Sequence, residues 1–257
     1  MPDDILIYER RDGVAWLTMN RPAARNALSM ALMAAMDAEL AAIETDPSVR
    51  VVVIAGAGPA FCAGHDLREV RSEPRRDAYE ALFALCARLM QRIVALPKPV
   101  IARVHGIATA AGCQLVASAD LAIAGESARF ATPGVNIGLF CTTPMVALSR
   151  AVGRKAAMEM LLTGDPMPAS WAQEIGLINR VVPDEELDDA VTALATKVAR
   201  GSPKALAMGK QAFQRQADMD LAAAYDFASG VMTENMLAPD AEEGIDAFLQ
   251  KRSPVWT

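Results

Sequence analysis

The chain has 257 residues, 53% of them hydrophobic, enough to bury a large core as one domain or as a main domain with a smaller C-terminal extension, and this excludes a disordered chain. Its 31 acidic and 25 basic residues leave a formal charge of -6 with no basic stripe, so no nucleic-acid partner is expected, and an anionic ligand has to be met by local cations or backbone amides. Cys62, Cys86, Cys113 and Cys141 are far apart and form no C-x-x-C pair, which predicts free thiols in a reducing cytosol.

The start, MPDDILIYER, has neither a basic segment followed by an apolar stretch nor Arg/Ser-rich transit character, and no apolar run reaches about 18 residues. A soluble, unprocessed, cytoplasmic chain without a membrane partner is therefore expected. Residues 5–8 and 14–19 are short β-favouring runs flanking Arg11-Asp12-Gly13, a D-G turn signal, and they predict an N-terminal hairpin. Ser29 is placed to cap a helix over residues 30–43, in which Leu32, Met36, Leu40 and Ile43 form a core-facing stripe before Asp46-Pro47 ends it. Residues 51–54 are a β-branched run of the kind covered on both faces, and 56–64 form a glycine- and alanine-rich loop suited to a function. A polar stretch over 68–77 precedes an amphipathic helix over 78–96, which stops at Pro97-Lys98-Pro99, and a second buried strand over 100–104. The pattern repeats with a small-residue loop over 106–112, a short helix over 113–118, a strand over 121–124 and Arg129-Phe130-Ala131. From about residue 143 the chain reads mostly as helices, at 154–162, 168–174, 185–200 and 203–216. Mixed elements followed by helices predict an α/β core over residues 1–197 and a helical region over 198–257.

Phe61 to Leu67 follows the first buried strand, and Gly106 to Leu115 follows the second. Small side chains just past a strand end let a ligand approach backbone N–H groups, and two such amides from separate loops can converge on one oxygen, the layout of an oxyanion hole. On a thioester, charge builds on the carbonyl oxygen as an enolate forms, so two fixed donors favour the intermediate over the ground state. Around these loops the sequence resembles the crotonase (enoyl-CoA hydratase/isomerase) superfamily through an ordered series of markers. They are Asn20-Arg21-Pro22, Asn26-Ala27-Leu28, residues 61–67, Lys98-Pro99-Val100-Ile101-Ala102, Gly106, Gly112-Cys113, Asp120-Leu121 and Phe130. Gly138, Arg150-Ala151-Val152-Gly153, Leu162-Thr163-Gly164, Gly176-Leu177 and Val181-Val182-Pro183 complete the series. Residues 130–136 and 138–141 resemble its enoyl-CoA hydratase domain-containing branch.

The resemblance implies a spiral of ββα units with a C-terminal helical region that forms a homotrimer or a dimer of trimers. It implies an acyl-CoA thioester as the small-molecule partner, coenzyme A being part of the substrate and not a covalently held cofactor. It places the two oxyanion amides on His65 and Ala111, where alanine stands in for the family's usual glycine and serves if the loop needs no positive φ there. Ala63 and Gly64 fall on the segment lining the adenine end, and Arg25 with Lys251 or Arg252 on the phosphates. The departure is at Gln114 and Gly134, which stand where hydratases carry two glutamates. Hydration needs a base for water and an acid for the α-carbon; an amide and a glycine supply neither, and each loss is worth about 10²–10⁴-fold.

Other readings compete at single residues. Gly56-x-Gly58 after a strand suggests a dinucleotide loop, but Phe61 takes the third glycine position. His65 could be a general base, whereas His105, Asp66, Asp120 and Cys113 read as packing or capping residues; Cys141 is left open, and two histidines make no metal cluster, so no metal is expected. The expected function is an acyl-CoA protein that stabilises a thioester enolate without paired glutamates, as a lyase, isomerase, decarboxylase or thioesterase. The alternative is a catalytically silent acyl-CoA binder or regulatory subunit.

Overall fold

The computed structural model describes residues 4–257. Strands β1 (Leu6–Arg11) and β2 (Val14–Met19) pair antiparallel, Leu6 opposite Met19 and Arg11 opposite Val14. Asp12 (φ 49) and Gly13 (φ 78) turn between them, supplying the two left-handed residues that a two-residue hairpin turn of matching twist requires. The remaining pairings of this sheet are parallel, in the order β1-β2-β3-β4-β6-β9, with β3 (Val51–Gly56), β4 (Val100–Val104), β6 (Leu121–Gly125) and β9 (Arg180–Val182). In a smaller sheet, β7 (Arg129–Ala131) pairs parallel with β5 (Ile107–Thr109) and antiparallel with β8 (Met167–Pro168).

Parallel neighbours need crossovers, and helices supply them. Helix α1 (Met30–Thr45) joins β2 to β3; α2 (Leu67–Ser72) and α3 (Arg76–Ala95) join β3 to β4; α4 (Ala111–Ser118) joins β5 to β6. The chain then passes through α5 (Thr142–Ala151), α6 (Arg154–Thr163) and α7 (Ala169–Glu174), and ends in α8 (Leu187–Ala199), α9 (Pro203–Gln216), α10 (Leu221–Met236) and α11 (Pro239–Leu249).

Period-two alternation sorts the strand side chains between two cores. Val52, Ile54, Val100, Ala102 and Val104 enter the larger one with the buried stripes of α1 and α3, while Val51, Val53, Ile101 and Ile123 face Leu187, Val191 and Ala195 of α8. Every residue of β3 is therefore buried, which is why its sequence shows no polar face. At the head of α1 the Ser29 hydroxyl accepts the Leu32 N–H at 3.2 Å, as expected, and the helix runs on to Thr45.

Three short elements depart from expectation. Helix α2 stands in the expected polar stretch because Asp66 accepts the N–H groups of Arg68 and Glu69 at 3.1 and 3.4 Å, capping a turn that has no apolar stripe. Strand β5 occupies part of the expected loop over 106–112, and β9 lies in the expected helical remainder; three residues are too few to carry an alternation signal. Lys210 of α9 fastens the C-terminal helices to the core: its ammonium lies 2.6 Å from the Asp120 carboxylate and donates to the carbonyls of Ile93 and Lys98 at 3.0 and 3.1 Å. Asp120 is thus structural.

Replacing Ser29 with alanine removes the cap of α1 and is expected to cost about 1 kcal/mol, whereas Ser29→Gly costs only a few tenths. Urea unfolding with an unchanged m value measures both.

Candidate active site

The loop after β3 is shaped by the N-terminal marker residues. Asn26 is fully buried; its amide donates to the carbonyls of Ala57 and Ala60 at 2.8 and 2.7 Å and accepts the Arg21 N–H at 2.9 Å. Arg21 reaches across to Asp66 at 2.8 Å and donates to the Ala27 carbonyl. This guanidinium, with the Glu69 and Arg68 amides, holds the Asp66 carboxyl below its usual range against the opposing effect of burial. Asp66 is therefore a cap and clamp, as expected, and not an acid–base group.

The same loop is zipped to the second one. Cys62 donates to the Ile107 carbonyl at 3.0 Å and accepts from Thr109 at 2.9 Å, forming a parallel bridge with Ala108. One step on, Gly64 has φ +89, and a side chain there would collide: a Cβ would lie 2.9 Å from the Ala110 Cβ, 3.0 Å from the Thr109 carbonyl and 3.5 Å from the Ala111 nitrogen. Only glycine combines this turn with this approach. The Gly64 carbonyl and the Asp66 N–H both engage Leu28, at 2.7 and 3.1 Å, so the His65 N–H, between them, is directed away from Leu28. Ala111 is the first residue of α4, where an amide has no partner within its helix. Among the described residues, neither amide donates to a backbone carbonyl.

The positive φ expected to be the risk at Ala111 falls one residue earlier. Ala110 has φ 51 and ψ -117, a conformation suited to glycine, while its N–H donates to the Ala131 carbonyl at 2.9 Å.

The two positions where the resemblance implies glutamates differ in their surroundings. Gln114 is buried on α4, its carbonyl oxygen 3.9 Å from the Cys86 thiol of α3. At Gly134 there is no vacancy. A Cβ would lie 2.9 Å from the Cys141 sulfur and 3.0 Å from the Leu139 carbonyl oxygen. A side chain at position 134 would therefore press on the Cys141 sulfur and the Leu139 carbonyl.

The His65 ring packs edge-on against Phe83 of α3, centroids 5.8 Å apart at 82°, and the polar group its nitrogens face is the Leu28 carbonyl, without a well-aligned hydrogen bond. Burial pulls its pKa below the ordinary value, opposed by the Leu28 carbonyl. His105, by contrast, meets Arg103 at 2.8 Å and the Gly58 carbonyl at 2.7 Å, the role of a strand-end residue. Burial pushes the Cys62 and Cys113 thiols up to about 12 and Cys86 to about 11, and it raises Cys141, so none of the four cysteines is an activated nucleophile here. The Ala63 N–H donates to the Arg25 carbonyl at 3.0 Å, which brings together two of the residues expected at the coenzyme. Arg252 is held by Glu243 in a two-point ion pair at 2.6 and 2.8 Å. A surface groove of about 620 Å³ lies elsewhere, where Asp120, Arg150, Lys210 and Phe213 meet; its central acid and base neutralise each other and read as a junction of the fold. Sequence reading singled out neither Phe83 nor Ala110. An aromatic on a helix and an alanine before a helix carry no signal of their own.

Comparison with known proteins agrees with this architecture. A family model described as enoyl-CoA hydratase/isomerase matches residues 9–257. The rat (Rattus norvegicus) "Enoyl-CoA hydratase domain-containing protein 3, mitochondrial" is 45% identical over 248 residues, covering 96% of this chain and 83% of the rat protein. The "2,3-dehydroadipyl-CoA hydratase" of Escherichia coli (strain K12) is 40% identical over 250 residues, 97% of each chain. A crystal structure of an enoyl-CoA hydratase from Mycobacterium smegmatis is 54% identical, with a TM-score of 0.96 and 99% of each chain covered. The chain belongs to the enoyl-CoA hydratase/isomerase family and has the crotonase fold. Within that family its kinship is with the enoyl-CoA hydratase domain-containing branch. The expected cytoplasmic location is corrected by these relatives, since those of this branch from rat, Xenopus laevis and human are named mitochondrial. Spaced, unpaired cysteines speak only of a reducing medium, which more than one compartment provides.

Asp66→Asn keeps the cap but loses the charge-assisted bond to Arg21, a loss of about 1.5–3 kcal/mol at neutral pH. A folded carboxyl with a depressed pKa contributes stability above its unfolded pKa of about 4, and that contribution is lost as pH falls through the lower folded value. Denaturation curves of wild type and Asp66→Asn should accordingly converge in acid. Ala110→Gly relieves about 1–3 kcal/mol of strain, less up to about 1 kcal/mol of added chain entropy, and calorimetry should show a higher melting temperature.

Proposed function

We propose that the chain binds acyl-CoA thioesters and holds the thioester carbonyl oxygen between the N–H groups of His65 and Ala111, stabilising an enolate or related oxyanion without two-carboxylate water chemistry. The observation that supports this best is the approach of Gly64 to Ala110 and Ala111, which brings the two loops together with both amides uncommitted. Fixed donors of this kind favour charge that develops during reaction and need no acid–base residue. Coenzyme A enters as part of the substrate. Arg25, next to Ala63 and Gly64, is assigned to its adenine and phosphate end, and of the two C-terminal cations Lys251 is the better candidate, because Arg252 already serves Glu243.

A catalytically silent acyl-CoA binder or regulatory subunit is the second reading, favoured by the sulfur and carbonyl that close the space at Gly134. In either case residues 198–257 are assigned to self-association as a trimer or dimer of trimers. The residues of α9 and α10 are all at least partly exposed, and Leu221, Tyr225, Leu237 and Phe248 present apolar surface that a partner copy would cover.

Coenzyme A or a saturated acyl-CoA at a hundred times its Kd should stabilise the fold by about 2.7 kcal/mol, read as a rise in melting temperature. No rise with any thioester would remove the proposal; binding without turnover of any thioester, crotonyl-CoA included, selects the silent binder. The double variant Gln114→Glu, Gly134→Glu should lose about 1–3 kcal/mol through overpacking and gain no hydration of crotonyl-CoA. A gain would show that the turn at Leu139 opens readily and that the absent carboxylates were the whole barrier.

A further inference from the structure

His105 stands at the corner between β4 and β5 and holds the turn that leads into the candidate site. Its ring meets the Gly58 carbonyl through Nε2 at 2.7 Å, and its own carbonyl accepts the Phe61 N–H at 2.9 Å. The carbonyls of Ala57 and Ala60 go to Asn26, so three carbonyls of this turn are each held by a side chain from outside it. The turn is also pressed against the segment assigned to the coenzyme. A Cβ at Gly58 would lie 2.5 Å from the Pro22 Cβ, and the Arg25 N–H donates to the Pro22 carbonyl at 2.9 Å.

The partners of the His105 ring fix its protonation. Nε2 faces a carbonyl, which only accepts, so Nε2 carries the hydrogen. Nδ1 lies 2.8 Å from Nη1 of Arg103, which only donates, so Nδ1 is bare. Both contacts together require the neutral imidazole in one tautomer. A proton on Nδ1 would set donor against donor and a cation against the guanidinium. Arg103 is not free to give way, because its side chain is largely enclosed and its Nε is engaged by Asp188 of α8. The other charged group facing the ring is Asp184, in the turn Asp184–Glu186, whose carboxylate accepts the Ser127 N–H at 3.2 Å. Burial above all, with Arg103, disfavours the charged ring; the Gly58 carbonyl and the two carboxylates favour it, and the balance falls below the ordinary histidine value.

We propose that His105 is a positioning residue and an acid-sensitive latch: its neutral ring holds the Gly58 turn in place, and uptake of one proton at Nδ1 releases the turn, so that acyl-CoA is held less firmly in acid. The inference rests on the acyl-CoA reading above and adds a regulation of that site. Release reaches the site by two routes, through Pro22 to Arg25 and through Phe61 and Cys62 to Gly64 and the His65 N–H. The direction follows from linkage. A base whose folded pKa lies below its unfolded value of about 6.5 gives its full contribution above that pH and loses it as pH falls toward the lower folded value.

Calorimetric titration of the full chain with butyryl-CoA, from a pH of about 8 to about 4.5, spans this window. Across it the wild-type affinity should fall roughly two- to tenfold further than that of His105→Gln, the worth of one hydrogen bond between neutral groups. Glutamine offers a donor and an acceptor but takes up no proton, and any titration of the ligand is common to both proteins. His105→Leu should bind at the alkaline end as weakly as the wild type does in acid, and His105→Gln should restore part of that loss. A histidine with a merely structural task would show no acid step that glutamine removes. In isotope-labelled wild type the ring resonances should show Nε2 protonated and Nδ1 bare at neutral pH, with one proton taken up below about pH 6.5. Parallel profiles for the wild type and His105→Gln, or a hydrogen on Nδ1 at neutral pH, overturn the inference and leave acyl-CoA binding standing. If butyryl-CoA binds none of these proteins, the acyl-CoA reading itself falls, and hydrogen exchange at the Phe61 amide decides the latch. Faster exchange in the acidified wild type than in His105→Gln at the same pH sustains it, and equal exchange overturns it.

Discussion

A single buried amide side chain sets the loop on which the candidate site depends. Asn26 is enclosed, yet its donors and acceptor are matched by the Ala57 and Ala60 carbonyls and the Arg21 N–H, so the turn after β3 has one satisfied arrangement. With the turn fixed, Cys62 pairs with β5 and Gly64 reaches α4. An unmatched alternative would leave a buried amide unpaired at about 1–3 kcal/mol. The Asn20-Arg21-Pro22 and Asn26 markers are thus structural in action. They place two amides, and they do so whatever stands at positions 114 and 134. The loop geometry is thus set by residues other than those at positions 114 and 134.

Positions 114 and 134 differ in the room that the surrounding structure leaves. Gln114 has the length and polarity of a glutamate but no ionisable proton, and it lies on a regular helix. At Gly134 the chain is close-packed. The Cys141 sulfur and the Leu139 carbonyl occupy the room a side chain would need, and the Leu139 N–H bonds back to the Gly134 carbonyl at 2.9 Å. A side chain at this position would require the Cys141 side chain and the turn at Leu139 to shift.

Much of the fold was legible because its signals are local or periodic. The D-G turn between β1 and β2, the serine ahead of α1 and the unbroken β-branched run of β3 each have one natural reading, and each forms as read. What escaped was decided by contacts between distant segments. Helix α2 exists because Asp66, tied to Arg21 from 45 residues away, caps it. Strands β5 and β9 are three residues long and are strands only by virtue of their partners. At the site, residue types pointed to the two loops, while the filled space at Gly134 and the unpaired ring of His65 are facts of packing that no spacing encodes. The cytoplasmic expectation failed for a related reason, since cysteine spacing reports redox medium and not address.

The departures from local rules are not spread through the molecule. An alanine in a glycine conformation at position 110 bonds to Ala131, the neighbour of an unmatched hydroxyl at 132, and it meets Gly64, the neighbour of the imidazole at 65, while polar side chains such as Asn26, Asp66 and His105 are satisfied. Each departure lowers stability by an amount of the order of 1–3 kcal/mol. A scaffold with no ligand gains nothing from concentrating such costs where two loops meet. A site that must present bare amides to an incoming molecule has to accept such costs there, since groups already satisfied within the protein have nothing to offer a ligand. Strain and unmatched polarity are therefore found at the loops to which the proposed acyl-CoA site is assigned.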